Sequence, residues 1–102
     1  MSGFSEREQG FEKKLAFEGD KKFRATAKRN KLLAQWVGAR TGMTREQTSQ
    51  YATELSDHDL KKPVDADVEE KVLADLRTRG ISSTAQEVRA EMTRCMTQAS
   101  AE

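Results

Sequence analysis

The chain has 102 residues, of which 35% are hydrophobic and 34% are charged, and its 18 basic and 17 acidic residues leave a net charge of +1. This length fits one domain, and dense but balanced charge is more typical of salt-bridged helices than of disorder, which favours high net charge. A membrane span, a signal peptide and an internal disulfide bond are not expected, because the sequence has no long apolar run, no apolar amino-terminal region and only one cysteine.

The first predicted helical segment precedes Gly19. Ser5 to Glu8 fits a capping box, in which the serine and glutamate side chains satisfy backbone N–H groups at a helix start. Phe4, Phe11 and Leu15 share one helical face, whereas Phe17 lies off it. From the residues alone, this segment is either a helical ligand for a partner's groove or a staple that packs back on its own domain.

Two further helices are predicted before Pro63. One runs from about Asp20 to Val37 and stops near Gly38 or Gly42. The next starts at Thr44, where Thr44 to Gln47 is a second capping box, and ends before Pro63 because the residue preceding a proline avoids the helical region.

The last two predicted helices follow Pro63. One is capped at Asp65 and ends at Gly80, because a glycine in the left-handed conformation commonly follows the last residue of a helix. The other is capped at Ser82 or Ser83, with Ser83 to Gln86 as a third capping box.

Apolar residues recur at helical spacing in these segments, and no segment alternates with the period of a strand. Short connections favour antiparallel packing of neighbouring helices. We therefore expect an all-α protein: a small four-helix bundle formed by residues 20–102, preceded by a mobile or loosely docked helical segment, residues 1–19. The predicted core comprises Phe23, Leu33, Trp36, Val37, Tyr51, Leu55, Val68, Val72, Leu76, Val88, Met92 and Met96.

Residues 21–31 contain six basic residues and no acidic one. Such a run can bind nucleic acid by neutralising phosphates or an acidic protein surface by electrostatic steering. It can also be a solvated helix face, compensated by the seven acidic residues between Glu54 and Glu70. The overall charge is less basic than that of a typical DNA-binding domain, so nucleic acid is not the expected partner.

Catalytic and metal-binding patterns are not evident in the sequence. His58 lies between Asp57 and Asp59, but adjacent helical side chains point about 100° apart and do not converge on one ion. Cys95 lies on the apolar stripe of the last helix, which predicts a buried thiol and not a nucleophile. Glycine-rich phosphate loops are missing, so we expect no catalytic residues, no metal and no enzymatic activity.

The sequence resembles the zeta subunit family of the α-proteobacterial F-type ATP synthase, an inhibitor of its ATPase activity. The resemblance rests on Phe4 followed by Arg7-Glu8, on the Arg-Asn-Lys-Leu-Leu run of residues 29–33 with Trp36 after it, and on Pro63 followed by residues 65–68. It covers most of the chain, and the combination is more specific than any single piece.

The resemblance implies a regulatory subunit whose residues 1–19 insert into the catalytic subunit interface and reach towards the central stalk. The implied inhibitory residues are Phe4, Ser5, Glu6, Arg7, Glu8, Phe11, Glu12, Lys14 and Leu15, and further partner or phosphate contacts would come from Lys21, Arg24, Lys28, Arg29 and Lys31. The expected protein is a monomer when free, cytoplasmic and peripheral to the inner membrane through the ATP synthase, without inserting into the membrane itself.

Two alternative functions remain at this point. One is a small helical nucleic-acid-binding protein that uses the basic run 21–31. The other is a sensor that binds ADP or ATP weakly, since some members of the family bind adenine nucleotides; no other cofactor is expected.

Overall fold

The computed structural model describes the backbone of residues 2–101 and the side chains of residues 22–101. Four helices follow one another in the chain: α1 (Ser2–Thr41), α2 (Arg45–Lys61), α3 (Asp65–Thr78) and α4 (Ala85–Ala101). Residues 2–101 contain no strand, so the predicted all-α class is confirmed. In the described part of the chain, no helix has both the length and the hydropathy needed to cross a membrane.

The first two predicted segments form one helix, because α1 continues through Gly19 without a break. A single interior glycine costs about 1 kcal/mol relative to alanine, which the surrounding helix-forming residues can offset. The helix ends at Thr41, and Gly42 then adopts a φ of 74°, a left-handed conformation that glycine adopts without steric cost.

The predicted boundaries of α2 and α3 agree closely with the structure. The Thr44 Oγ1 accepts a hydrogen bond from the backbone N–H of Gln47, and the Gln47 side chain accepts one from the backbone N–H of Thr44, which confirms the capping box. Helix α3 starts at Asp65, although its N-cap is Val64 and forms no side-chain cap. Gly80, with a φ of 80°, follows its end as predicted.

The predicted cap of the last helix is wrong by one residue. The hydroxyl of Thr84, and not that of Ser82 or Ser83, accepts the hydrogen bond from the backbone N–H of Glu87 at 3.2 Å. Ser83 is buried and donates its hydroxyl to the Glu87 carboxylate instead. The capping box predicted for Ser83 to Gln86 is therefore not formed, and the cap of α4 runs from Thr84 to Glu87 instead.

Helix α1 packs against α2 and α4, and α3 packs mainly against α4, so that one hydrophobic core lies between the four helices. Most of the predicted core is confirmed as buried: Leu33, Val37, Tyr51, Leu55, Val68, Val72, Leu76, Val88 and Met92. Trp36 and Met96 are half-buried. Cys95 is buried as expected, and burial raises the pKa of its thiol to about 11, which makes it a poor nucleophile.

Phe23 is the exception, because 55% of its surface is exposed. Gly38 of α1 faces Thr48 of the antiparallel α2. Because both helices have the same rise per residue, the end of α2 at Lys61 lies opposite about residue 25 of α1. Phe23 lies beyond that end. Its position on the helix is correct for the core, but α2 ends before it, so Phe23 and Leu60 of the last turn of α2 line an open groove.

A polar cluster at Tyr51 joins α2 to α3 at the edge of the core. The buried Tyr51 donates its hydroxyl to Asp75 at 2.7 Å, and Lys71 donates to the same carboxylate at 3.1 Å. Burial, together with the hydrogen bond to Asp75, raises the pKa of Tyr51 well above its ordinary value. The phenol therefore stays protonated in the folded protein.

Candidate functional site

The inhibitory segment predicted from the family resemblance falls outside the residues whose side chains the structure describes. This applies to Phe4, Ser5, Glu6, Arg7, Glu8, Phe11, Glu12, Lys14 and Leu15, and to Lys21 of the basic run. Their assignment stays a prediction. The described part of the candidate site is the stretch of α1 that follows, from Lys22, together with the ends of α2 and α3 that lie beside it.

The basic residues of this stretch are divided between two sides of α1. Lys22, Arg24, Lys28 and Lys31 are exposed, which places positive charge on the surface of the bundle. Arg29 is different, because its side chain is only 2% exposed and lies against the end of α2 and the start of α3.

Arg29 makes polar contacts with three side chains. Its Nη1 donates to Asp65 at 2.8 Å, its Nε donates to the neighbouring Asn30 at 3.0 Å, and its Nη2 lies 3.7 Å from a carboxylate oxygen of Asp59. Two carboxylates compensate the buried guanidinium, although its Nη2 is too far from Asp59 for a hydrogen bond. This arrangement holds α1 against the ends of α2 and α3.

The position of Arg29 bears on its predicted role as a phosphate contact. A phosphate at Arg29 would have to replace Asp65, and the guanidinium has almost no exposed surface through which to meet a ligand. The exposed lysines are better placed for contact with a partner. The sequence did contain a signal for this difference, because Arg29 precedes the buried Leu33 by four residues and the half-buried Trp36 by seven, which puts it near the inner face of the helix.

A groove of about 330 Å³ opens beside this basic surface, between α1 and the carboxyl-terminal end of α2. Its walls include the apolar side chains of Phe23, Leu60 and Pro63, and its floor includes the buried Asn30. The complete lining is Lys22, Phe23, Thr26, Ala27, Asn30, Ser56, Asp59, Leu60 and Pro63.

Sequence reasoning missed this groove, because it depends on how far α2 extends along α1. Leu60 is 64% exposed, and together with Phe23 it accounts for two of the three large hydrophobic side chains that are exposed in the described residues. The only signal in the sequence is that Leu60 stands alone between charged residues at a helix end, which is not specific.

The described residues show no metal-binding cluster. These residues include no group of three or more His, Cys, Asp and Glu side chains that could hold a metal ion. His58 is half-buried, and its Nε2 atom has no hydrogen-bond partner in the part of the chain that the structure describes. Asp59 is directed towards Arg29, while Asp57 is exposed.

Comparison with known proteins gave one finding. A family model described as "ATPase inhibitor subunit zeta" matches residues 1–102. No curated protein and no solved structure matched the chain.

Proposed function

The chain belongs to the ATPase inhibitor subunit zeta family, and on this basis we propose that it inhibits ATP hydrolysis by an F-type ATP synthase through its amino-terminal segment. The family match carries the proposal, because it spans the segment and the bundle together. The catalytic head of the synthase is the proposed partner, and the segment would reach from there towards the central stalk.

The position of the core among the described residues supports separate roles for the two parts of the chain, with the bundle as the folded unit and the segment as the inhibitory element. Every member of the buried core cluster lies between Leu33 and Cys95, within the bundle. The bundle therefore has a core of its own, and we infer that the apolar side chains of residues 1–19 serve an interface instead.

The residue types of the segment suit insertion between two protein subunits. Phe4, Phe11 and Leu15 would supply one apolar stripe, as helices that bind in grooves require. Glu6, Arg7, Glu8, Glu12 and Lys14 would supply charges that select a complementary surface. Lys22 and Lys31 are exposed on α1, where their charges can approach an acidic surface of the partner.

The test is ATP hydrolysis by the F-type ATP synthase of the same source, measured with the full chain and with a chain that lacks residues 1–19. We expect the full chain to inhibit and the truncated chain to lose inhibition. A truncated chain that inhibits as strongly as the full chain would contradict the proposal.

A matched pair of substitutions separates the apolar stripe from general effects of losing a phenylalanine. Phe11→Ser removes a residue of the stripe, whereas Phe17→Ser removes the same side chain from another face of the helix. We expect Phe11→Ser to weaken inhibition by roughly tenfold or more, because the stripe loses an apolar contact with the partner. A tenfold change corresponds to about 1.4 kcal/mol. Equal inhibition by the two variants would show that the stripe does not make the contact.

A further inference from the structure

The groove between α1 and the end of α2 leaves apolar side chains open to solvent. Phe23 is 55% exposed and Leu60 is 64% exposed. Single exposed apolar residues are common on protein surfaces, whereas clustered ones that line a concave surface indicate a binding site. Phe23, Leu60 and Pro63 are such a cluster.

The charge around the groove is mainly basic. Lys22 is part of the lining, and Lys61 directly follows Leu60 in the chain, whereas Lys62 is paired with Asp67 at 3.8 Å. The acidic residue of the lining, Asp59, lies 3.7 Å from the guanidinium of Arg29, so its charge is compensated inside the protein. The groove therefore suits an apolar side chain whose neighbours are carboxylates.

Two occupants from the protein itself are disfavoured. A second copy would bring another set of lysines towards Lys22 and Lys61, and like charges facing each other oppose association. Residues that precede Phe23 in α1 belong to the same unbroken helix, Ser2–Thr41, and a continuous helix does not double back over its own side chains.

The position of the groove along α1 points to a third occupant. Phe23 follows Gly19, the last residue of the proposed inhibitory segment, by four residues, which is about 6 Å along a helix. A protein surface that holds residues 1–19 would thus come within reach of Phe23. The groove and the segment would then face one continuous partner.

We propose that the groove formed by Phe23, Leu60 and Pro63 is a second docking surface for the ATP synthase, which takes an apolar side chain flanked by acidic residues. This proposal rests on the proposed function and adds a contact made by the bundle. The groove would increase the affinity of the complex, and residues 1–19 would block hydrolysis.

The experiment measures the dissociation constant of the full chain for the purified ATP synthase, together with inhibition at a saturating concentration. Leu60→Asp places an acid in the groove, and Phe23→Ser removes its largest wall. Gln50→Asp is the matched control, because it adds the same charge at another exposed position of α2. Urea denaturation of each variant confirms that the bundle is folded.

We expect Leu60→Asp and Phe23→Ser to weaken binding by roughly tenfold or more, as loss of about 1.4 kcal/mol would, and Gln50→Asp to bind like the unchanged protein. Inhibition at saturation should remain complete in all variants, because residues 1–19 are intact. Equal affinities for the four proteins would overturn the proposal.

Two other results would assign the groove to a different occupant and so overturn the proposal. Tighter binding by Leu60→Asp would mean that the groove holds the protein's own amino-terminal segment before binding. A dimer of the unchanged protein that Leu60→Asp dissociates, seen by analytical ultracentrifugation, would mean that it holds a second copy. Failure of the unchanged chain to inhibit, whatever the variants do, would instead refute the proposed function.

Discussion

Arg29 carries a full positive charge at a position that is almost closed to solvent, and two carboxylates compensate it. Asp59 is 14% exposed and Asp65 is 79% exposed, so the two partners lie in different environments. A buried charge is tolerated only when it is paired and hydrogen-bonded. The side chain therefore contributes to the joining of α1, α2 and α3, and its loss would leave Asp59 without its counter-ion.

We predict that Arg29→Ala lowers the free energy of unfolding by about 2–3 kcal/mol, somewhat below the cost of breaking a fully buried ion pair because Asp65 is solvated. Lys31→Ala, at an exposed position two residues away, should change it by less than about 0.5 kcal/mol. Urea denaturation measures both values. Similar values for the two variants would show that the ion pairs of Arg29 add little to stability.

Tyr51 is the single tyrosine of the chain, so its titration can be followed without interference from another phenol. Its pKa is raised in the folded state by burial and by the hydrogen bond to Asp75. Unfolding exposes a phenol with an ordinary pKa of about 10. Above that pH the unfolded state loses a proton that the folded state keeps, and stability falls as the pH rises.

We predict that this one group lowers the free energy of unfolding by up to about 1.4 kcal/mol for each pH unit above 10. Below pH 10 its contribution is constant. Tyr51→Phe removes the slope and costs about 1 kcal/mol near neutral pH, since Lys71 still binds Asp75. Urea denaturation at several alkaline pH values tests the difference, and tyrosinate absorbance that appeared while the protein was still folded would contradict it.

Among the helices, α1 and α2 make the closest approach seen at a glycine of the described residues. A Cβ atom added at Gly38 would lie 2.5 Å from the hydroxyl oxygen of Thr48. That hydroxyl donates to the backbone carbonyl of Thr44 at 2.9 Å, within the first turn of α2. The contact sets the register between the two helices, and this register determines that Phe23 lies beyond the end of α2.

We predict that Gly38→Ala lowers the free energy of unfolding by about 1 kcal/mol, because overpacking outweighs the gain of about 1 kcal/mol in helix propensity. In a Thr48→Ala background the hydroxyl is gone, and the same substitution should become stabilising. A double-mutant cycle by urea denaturation measures the change of sign. If Gly38→Ala is equally favourable in both backgrounds, the close contact does not limit the packing.

The ends of α2 and α3 were predictable because local chemistry determines them. Thr44 and Gln47 cap one another, Pro63 restricts the backbone before it, and Gly80 permits the left-handed conformation that ends α3. The cap at Thr84 was not predictable in the same way, since Ser83 has an equally suitable side chain but is buried and bonded to Glu87.

The candidate site was predictable in composition but not in arrangement. The basic run is evident in the sequence, yet the inward direction of Arg29 depends on Asp59 and Asp65 from other parts of the chain. The exposure of Phe23 depends on the relative lengths of two helices. Both are properties of packing between elements, which helical periodicity in one segment does not contain.

At the scale of the whole molecule, the small net charge conceals two regions of opposite sign. Residues 1–31 carry nine basic and five acidic residues, and residues 32–102 carry nine basic and twelve acidic ones. Arg29 connects the regions by pairing with Asp59 and Asp65. The net positive charge of residues 1–31 is suited to an acidic partner.

We predict that deletion of residues 1–19 changes the free energy of unfolding by less than about 1 kcal/mol, because the core cluster of the described residues, Leu33 to Cys95, packs within the bundle. The dependence on urea should also be nearly unchanged, since it scales with the surface that unfolding exposes. Equilibrium urea denaturation of the full and shortened chains provides the measurement. A loss of several kcal/mol would place the segment inside the folding unit and would contradict the predicted domain boundary.

The unbroken course of α1 has a mechanical consequence. Helix α1 runs from Ser2 to Thr41 as one helix, so its regular twist relates every position of the segment to a position in the bundle. One residue inserted after Gly19 would turn the segment by about 100° relative to the groove. The number of residues between Gly19 and Phe23 therefore sets the angle around the helix axis between the two proposed contacts.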